Sequence, residues 1–244
     1  MKIYVVACDK FTHVCPTTVE FLNKNWPNQD ITILGYGAVT SLQGLPENVD
    51  VHSLGNEEEY DSSWTTALIP FFENVKEDYF ALILEDTILM NPVDSERLSI
   101  LEEQFISGSA SKAMIGGGLF LGDSKRHYDS SGRSYLVFNQ SIDYRCSLHP
   151  AIWKKDYFLK FLKPNMNPWQ FELWNNNFAK HDGAKIINND YKYPEEPHTY
   201  SFLNLYQAGK LTINEEGNIR DQQPSGRFFA KEDLKYIWRK INNA

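Results

Sequence analysis

Residues 80–87 read Phe80-Ala81-Leu82-Ile83-Leu84-Glu85-Asp86-Thr87 and contain the strongest signal for a buried strand in the sequence. The apolar part of this stretch predicts a strand that is buried on both faces, as in a parallel sheet. The strand ends abruptly in two adjacent carboxylates, Glu85 and Asp86, which are costly to bury unless they meet water, a cation or hydrogen-bond donors. In open α/β sheets, ligands bind beyond the carboxyl ends of the strands, so the stretch predicts a binding site. A solvated turn after a core strand is the alternative.

The N-terminal segment has the pattern of a β-α-β unit. Residues 2–7 predict a first buried strand, a helix with a proline in its first turn follows, and residues 31–34 predict a second strand. Such a unit predicts a parallel strand pair with a right-handed crossover. The same rule on strand ends then places Cys8-Asp9 and Tyr36-Gly37 at the predicted binding site.

Further elements are predicted by periodicity along the chain. Residues 35–60 are polar and turn-rich, and Asp94 is a suitable N-cap for a helix that follows it. Helices are also predicted at 64–75, 155–162, 169–178 and 229–241, and strands at 135–138 and 186–187. The sequence contains no internal repeat and no low-complexity linker, which indicates a single α/β domain.

Charge and cysteine content exclude several classes of function. The net charge is −8, so a broad basic surface for nucleic acid is not expected. No apolar run reaches the ~18 residues of a transmembrane helix, so none is expected. The three cysteines have no metal-ligand spacing, and their odd count without a signal-peptide pattern predicts a protein of the cytoplasm.

Residues 169–174, Trp-Gln-Phe-Glu-Leu-Trp, place a carboxylate among large side chains. On a helix, Trp169 and Leu173 lie on one face, with Glu172 beside them. A carboxylate in such surroundings suits a general base that takes the proton from an acceptor hydroxyl. A surface glutamate on a helix that packs into the core is the alternative.

Residues 144–155 bring positive charge near the predicted cleft. Arg145 and Lys154 are candidates for binding phosphate, and an arginine can do so bidentately. His149 precedes a proline, which favours extended backbone, and its ring could hydrogen-bond a ligand. A structural histidine is the alternative.

Familiar phosphate-loop and hydrolase motifs are absent from the sequence. The run Gly116-Gly117-Gly118 is not followed by the Lys-Ser/Thr pair of a phosphate loop, and there is no G-x-G-x-x-G, G-x-S-x-G or H-E-x-x-H. His198 is a further candidate metal ligand, but its spacing defines no site.

Four blocks of the sequence resemble GT-A glycosyltransferase-like proteins of bacteria and their viruses. The first is Lys2–Asp9 followed by Phe11, Phe21-Leu22 and Trp26-Pro27, and the others are 80–89 with Val93-Asp94, then 145–153, and Asn167–Glu172. The last two are the more specific, because their Pro-Ala-Ile-Trp and Trp-x-Phe-Glu spacings are unusual. The resemblance extends over residues 2–210.

The resemblance implies an α/β fold of the GT-A type, which is Rossmann-like and binds nucleotides, with a central, mostly parallel sheet flanked by helices. It implies one domain over 1–244, with a nucleotide-sugar donor bound by residues 1–105, a glycan or other hydroxyl acceptor by 106–225, and an amphipathic C-terminal helix at 226–244. The implied activity is an inverting sugar transfer in cell-surface or glycan biosynthesis.

The resemblance also assigns roles to individual residues. Glu172 is the expected catalytic base, and His149 and Trp169 are expected to line the acceptor side. The residues expected to contact the donor are Ala7, Cys8, Asp9, Phe11, Tyr36, Gly37, Glu85, Asp86, Arg145 and Lys154.

One departure from the family pattern concerns the metal. The usual motif is Asp-x-Asp, whose last aspartate is the main ligand, whereas this chain has Glu85-Asp86-Thr87. A threonine does not replace a bidentate carboxylate. Either Asp86 binds Mn²⁺ or Mg²⁺, ions that prefer oxygen ligands, or the protein is metal-independent and Arg145 and Lys154 hold the diphosphate.

Two other functions fit the sequence less well. A non-catalytic nucleotide- or sugar-binding module, derived from a transferase, is favoured by Thr87. A nucleotidyltransferase usually has a Gly-rich, basic loop after the first strand, but residues 8–15 contain no glycine and one lysine, Lys10.

Overall fold

The computed structural model describes residues 1–60, 63–115, 124–190, 202–207, 209–220 and 229–243. Gly116–Gly118 and His198 lie outside the described residues.

The described chain folds into alternating strands and helices. The strands are β1 (Lys2–Val6), β2 (Asp30–Gly35), β3 (Val49–Ser53), β4 (Tyr79–Leu84), β5 (Thr87–Leu89), β6 (Lys112–Met114), β7 (Ser124–Tyr128), β8 (Ser134–Phe138), β9 (Ala151–Lys154), β10 (Ile186–Asn189), β11 (Phe202–Asn204), β12 (Tyr206–Gln207) and β13 (Lys210–Leu211). The helices are α1 (Cys15–Asn25), α2 (Trp64–Asn74), α3 (Ser95–Ile106), α4 (Lys155–Phe161), α5 (Pro168–Ala179) and α6 (Lys231–Asn242).

The central sheet has nine strands in the order β3-β2-β1-β4-β9-β6-β10-β8-β7. Strands β1, β2, β3, β4, β6, β7 and β10 run in one direction, whereas β8 and β9 run in the other. The predicted mostly parallel sheet is therefore confirmed. The predicted β-α-β opening is confirmed too, since β1 pairs in parallel with β2 on one side and with β4 on the other.

Helices cover both faces of this sheet. Along β4, Ala81 and Ile83 pack against α1 and α3 on one face, while Phe80 and Leu82 pack against α2, α4 and α5 on the other. Side chains alternate between the faces of a strand, so a run that is apolar at every position needs a cover on both sides. This burial explains why β4 gives the strongest strand signal in the sequence.

Local sequence signals for helices also agree with the structure. Asp94 caps α3, because its side chain accepts a hydrogen bond of 3.1 Å from the backbone N–H of Arg97. The segment 35–60 differs from the prediction in that it contains β3. This edge strand is mostly exposed, so it has no apolar run that marks it as a strand.

The C-terminal helix α6 packs onto the domain. Its apolar stripe, which includes Leu234, Ile237 and Ile241, is buried in a cluster with Phe21 of α1. Lys24 of α1 also forms an ion pair of 2.9 Å with Asp233. Within the described ranges, no helix combines the length and the apolar composition that crossing a membrane requires.

Candidate active site

The ends of three parallel strands meet at one edge of the sheet. The backbone N–H of Ala7 donates to the carbonyl of Leu34 at 2.8 Å, and the N–H of Glu85 donates to the carbonyl of Val6 at 3.1 Å. These bonds extend the strand pairing one residue beyond the ends of β1 and β4. The structure therefore brings together the three segments that the strand-end rule had selected.

Asp9 connects the loops that follow β1 and β2. Its Oδ1 accepts a hydrogen bond of 2.9 Å from the N–H of Ala38, and its own N–H donates to Glu57 Oε2 at 2.8 Å. Close by, the ring centroids of Tyr36 and Tyr60 are 5.8 Å apart. Asp9 and Tyr36 thus lie together where a nucleotide is expected, and Asp9 also fixes the loops around it.

Glu85 points into the protein rather than into an open cleft. Its side chain is buried, and Cys8 Sγ donates to its Oε1 at 3.5 Å. Desolvation, and secondarily the charge of Asp86, raises the pKa of Glu85 to about 8. Glu85 is therefore a largely protonated group beneath the loop at Cys8.

We expect Glu85→Gln to stabilise the protein at alkaline pH. Below the pKa of an unfolded glutamate, near 4.5, Glu85 is protonated in both states and the substitution is nearly neutral. As the pH rises from about 4.5 to about 8, the carboxyl group ionises in the unfolded state but stays protonated in the folded one, so the wild type progressively loses stability that the glutamine variant keeps. The difference is on the order of a few kcal/mol at pH 9, since one pKa unit is about 1.4 kcal/mol.

Melting temperatures of both proteins at pH 5 and pH 9 test this prediction. The gap between them should be small at pH 5 and large at pH 9. An equal gap at the two pH values would show that Glu85 does not titrate with a raised pKa.

A cavity of about 440 Å³ opens beside this edge of the sheet. It gathers four of the residues selected from the sequence, namely Asp86, His149, Trp169 and Glu172. The residues that line it are Leu84, Asp86, Thr87, Leu148, His149, Pro168, Trp169, Glu172, Asn204, Tyr206 and Gln207. The carboxylates of Asp86 and Glu172, which are far apart in sequence, therefore face the same cavity.

The position of Glu172 follows from the start of α5. Asn167 and Gln170 form a capping box, with bonds of 2.9 and 2.8 Å, which fixes the first turn of the helix. Glu172 Oε1 then accepts a hydrogen bond from the backbone N–H of Leu148. The described residues provide no other hydrogen bond to this carboxylate, which lines the cavity.

His149 lies beside Glu172 in the wall of the cavity. Burial lowers its pKa below the usual value, although the charge of Glu172 partly opposes this. Its backbone N–H donates to Ser147 Oγ at 3.1 Å. At neutral pH the ring is therefore uncharged and offers one donor and one acceptor nitrogen.

Asp86 is the carboxylate that faces the cavity from the sheet. Burial raises its pKa, and Thr87 Oγ1 donates to its Oδ1 at 3.4 Å. No group of three or more histidine, cysteine, aspartate or glutamate side chains that could hold a metal ion occurs among the described residues. Among the described residues that line the cavity, Asp86 is the carboxylate at the strand end and Glu172 is the carboxylate on α5.

Arg145 has a structural position that differs from the expectation. It is fully buried, and its guanidinium donates to the carbonyl oxygens of Ala179 at 2.8 Å, Asn139 at 2.9 Å and Ala184 at 2.6 Å. The expected contact between Arg145 and the diphosphate of the sugar donor does not fit this position, because carbonyl oxygens of the core already accept hydrogen bonds from the guanidinium group.

Lys154 also lies away from the site, because β9 is antiparallel to β4. Lys154 pairs with Tyr79 at the amino end of β4. The carboxyl end, at Leu84, is five residues further along, or about 17 Å at the usual rise of a strand. Lys154 would lie near the expected donor only if β9 ran parallel to β4.

A buried lysine supports the segment that positions Glu172. Lys112 is fully buried, and its Nζ donates to the carbonyl oxygens of Arg145 at 3.1 Å and Ser147 at 2.7 Å. Burial lowers its pKa to about 7. Because Leu148 follows in this segment and binds Glu172, Lys112 belongs to the support of the site. Nothing in the sequence around Lys112 indicates this.

The sequence also gave no indication of the third wall of the cavity. Asn204 pairs with Thr87, because β11 is antiparallel to β5. Tyr206 follows and packs against Phe11, with ring centroids 4.7 Å apart and the rings tilted by 35°. Phe11 therefore lies behind Tyr206, which is the residue of this pair that lines the cavity.

Comparisons with known proteins identify the fold. No protein-family model matches the chain, and no curated protein matches it significantly. The structure of S. aureus TarS 1–349 has a TM-score of 0.52 at 12% sequence identity, covering 82% of this chain and 60% of that one.

Two further solved structures have lower TM-scores. For galactosyltransferase LgtC in complex with donor and acceptor sugar analogs, the TM-score is 0.39 at 12% identity, covering 66% of this chain and 60% of that one. A cytidylyltransferase from Leptospira borgpetersenii serovar Hardjo-bovis gives 0.47 at 10% identity, covering 99% of this chain and 94% of that one.

The chain thus spans 60% of the compared lengths of TarS and of that LgtC structure. At 12% identity, the likeness to TarS concerns the fold alone. The predicted α/β fold of the GT-A type, with its central, mostly parallel sheet and flanking helices, is confirmed.

Proposed function

We propose that the protein is a glycosyltransferase that moves a sugar from a nucleotide-sugar donor to a hydroxyl acceptor. The observation that carries this proposal is the shared cavity of Asp86 and Glu172 at the carboxyl ends of the strands. In a sheet of this kind, that edge is where a nucleotide binds. The two carboxylates are then available for different tasks.

The donor is proposed to lie over the loops that follow β1, β2 and β4. The residues available there are Ala7, Cys8, Asp9, Phe11, Tyr36, Gly37 and Asp86. Glu85, which is buried beneath Cys8, supports this edge and does not contact the donor directly.

Glu172 is proposed as the general base. Its Oε2 takes the proton of the acceptor hydroxyl while that oxygen attacks the anomeric carbon of the donor. The bond from the anomeric carbon to the diphosphate oxygen breaks, and its electron pair leaves with the nucleoside diphosphate. Attack from the side opposite the leaving group inverts the configuration at the anomeric carbon. NMR analysis of the product's anomer tests this point.

His149 and Trp169 are proposed to bind the acceptor. The uncharged ring of His149 suits a hydrogen bond with a neutral hydroxyl group. The side chain of Trp169 is 72% exposed at the rim of the cavity, so its face is available to a sugar ring.

A divalent ion is proposed to bind at Asp86 together with the donor. The metal-independent alternative relied on Arg145 and Lys154, and neither reaches the cavity. Mg²⁺ commonly binds through one or two carboxylates plus substrate phosphates, so Asp86 and the diphosphate of the donor together suit such an ion. When bound, such an ion offsets the negative charge that grows on the leaving diphosphate.

Thermal shift with nucleotides tests the proposal first. The probes are UDP, GDP, CDP and ADP, each with and without Mn²⁺ or Mg²⁺. A ligand at about 100 times its Kd stabilises the folded state by about 2.7 kcal/mol, which a melting curve detects. We expect one diphosphate with metal to raise the melting temperature and metal alone to leave it unchanged.

The other outcomes discriminate among the alternatives. Stabilisation by a diphosphate regardless of metal would contradict the role of Asp86 as a metal ligand. Binding without transfer or hydrolysis of any matching nucleotide sugar would favour the non-catalytic module. The absence of a response to every nucleotide would contradict the proposed function.

A further inference from the structure

Lys112 and Glu172 bind opposite ends of the same peptide group. The ammonium group of Lys112 donates to the carbonyl oxygen of Ser147 at 2.7 Å. The N–H of that peptide belongs to Leu148 and donates to Glu172 Oε1. A peptide dipole is negative at its oxygen and positive at its N–H. The cation and the carboxylate therefore each bind the end of opposite sign.

This arrangement strengthens the hydrogen bond that Glu172 accepts. A charged donor at the carbonyl oxygen polarises the peptide, and a polarised peptide has a better N–H donor. The effect is largest where bulk solvent is excluded, and Lys112, Ser147 and Leu148 are all buried. The charge of Lys112 therefore acts on Glu172 through the peptide between them.

The segment that contains this peptide is held from two sides. On α5, Asn176 lies one helical turn after Glu172, and its Oδ1 accepts a hydrogen bond of 3.0 Å from the N–H of Arg145. On β6, Lys112 also donates to the carbonyl oxygen of Arg145 at 3.1 Å. Residues 145–148 thus join β6 to α5, with carbonyl oxygens bound to the lysine and N–H groups bound to the helix.

The burial of a charge at Lys112 is costly, and an apolar side chain of the same length would fill the space without that cost. The ring of Trp153, whose centroid lies 4.0 Å from Nζ, and the two carbonyl oxygens offset part of it. Among the described residues, the charges that act on Lys112 are those of Cys146, Glu172 and Arg145, so Glu172 is the carboxylate of this group. The geometry therefore links the buried cation to Glu172.

The charge of Lys112 acts on His149 as well. Burial lowers the pKa of His149, the charge of Glu172 opposes this shift, and the charge of Lys112 adds to it. A positive charge at Lys112 therefore favours an uncharged His149 ring and an ionised Glu172 carboxylate. These are the two protonation states that the proposed roles of His149 and Glu172 require.

We propose that Lys112 is a positioning residue for sugar transfer, which orients Glu172 and keeps it ionised by acting through the Ser147–Leu148 peptide. This inference rests on the proposed function, because it assigns Lys112 to the same reaction. Lys112 does not belong to the residues that line the cavity, so it acts on the acceptor through Glu172 and not by contact.

The variant Lys112→Met tests the proposal on the full chain, because methionine keeps an unbranched side chain and removes the charge. The matched control is Lys155→Met. Lys155 is another partly shielded lysine whose Nζ donates to a backbone carbonyl, that of Val75 at 3.0 Å, beside the amino end of β4 and away from the cavity. The measurements are kcat/KM for transfer as a function of pH and the melting temperature with and without the nucleotide diphosphates used above.

We expect Lys112→Met to lower kcat/KM by about tenfold or more and to move the acid limb of its pH profile upward by about one pH unit, since removal of a nearby positive charge disfavours an ionised carboxylate. A residue that only held the fold would change the rate and the melting temperature without moving this limb. Lys155→Met should keep the wild-type profile. Both variants should keep the wild-type shift in melting temperature with nucleotide, because the donor lies over other loops.

NMR of the wild-type chain tests the link to the peptide without relying on transfer or on the stability of a variant. Labelling serine with ¹³C at the carbonyl carbon and leucine with ¹⁵N selects the Ser-Leu peptides of the sequence, which are Ser41-Leu42, Ser53-Leu54 and Ser147-Leu148. The variants Leu42→Ile and Leu54→Ile identify the first two signals, and the third then belongs to Leu148.

We expect the Leu148 amide signal to shift as Lys112 loses its proton. Burial lowers the pKa of Lys112 to about 7. Burial raises the pKa of the neighbouring Cys146 thiol to about 12 and lowers that of His149 below its usual value, so a step near pH 7 belongs to Lys112. The same step should be absent from the spectrum of Lys112→Met.

The outcomes separate this inference from the proposed function. If the wild type transfers sugar but Lys112→Met keeps the wild-type pH profile, or if the Leu148 signal shows no step, the inference fails and the proposed function stands. If the Leu148 signal shows the step but the wild type transfers no sugar from any nucleotide sugar, the proposed function fails, and the assignment of Lys112 to sugar transfer fails with it.

Discussion

Replacing Glu172 with Gln is expected to lower the rate of sugar transfer by about 10²–10⁴-fold, the usual contribution of a general base. The change is nearly isosteric. The Gln side chain can still accept the hydrogen bond from the N–H of Leu148 through its carbonyl oxygen. Its amide nitrogen then occupies the place of Oε2, and an amide nitrogen does not take up the acceptor's proton.

Because the glutamine keeps the hydrogen bond with the N–H of Leu148, the variant should still bind the sugar donor. The melting-temperature shift with nucleotide diphosphate should match that of the wild type, while initial rates with the matching nucleotide sugar fall. The control is Glu47→Gln, which makes the same chemical change in an exposed loop before β3 and should leave both quantities unchanged.

Transfer by Glu172→Gln at close to the wild-type rate would show that another group accepts the proton. Loss of both transfer and nucleotide binding would instead show that Glu172 holds the site together. Only a fall in rate with intact donor binding supports the role of a base.

Asp86→Asn is expected to remove the dependence of transfer on a divalent ion and to lower the rate by about 10²-fold or more, because a metal Lewis acid stabilises the transition state by several kcal/mol. Asparagine keeps the size of the side chain and its hydrogen bond with Thr87, but it lacks the charge that holds the ion. The measurement is the initial rate against Mn²⁺ and Mg²⁺ concentration.

Asp50→Asn is the matched control for this variant. Asp50 lies on β3, its side chain is 81% exposed, and it forms an ion pair of 3.8 Å with Lys2. The control should keep the full metal response. An Asp86→Asn enzyme that still responds to metal like the wild type would assign the ion to other residues.

Much of the fold could be predicted from the sequence because the signals are local. Continuous apolar runs identify β1, β2 and β4, and apolar spacings of three and four residues identify α1 and α2. The cap of α3 at Asp94 is likewise a property of a few adjacent residues. These patterns report which faces an element must bury, whatever it later packs against.

The candidate site could be predicted only where a residue's position follows from its own element. Asp86 lies at a strand end and Glu172 on the first turns of a helix, and the structure places both on one cavity. Asn204 and Tyr206 reach the same cavity only because β11 pairs with β5, and nothing local in residues 202–207 indicates that partner.

The positive charges show most clearly what the sequence leaves open. A cation near a predicted cleft can face a ligand or satisfy the core, and composition does not distinguish these positions. Arg145 is buried on three core carbonyls. Lys154 lies beside the amino-terminal end of β4, away from the cavity, because β9 runs antiparallel to β4.

From the amino-acid sequence one can predict that a buried parallel strand ends in two carboxylates, Glu85 and Asp86, and that a third, Glu172, follows on an aromatic-rich helix. The tertiary structure alone decided which charged groups share the cavity and which support it from the core. The physical reason is that burial patterns are set by neighbours in the chain. Strand order and direction are set by contacts between segments far apart in sequence, here β4 with β9 and β5 with β11.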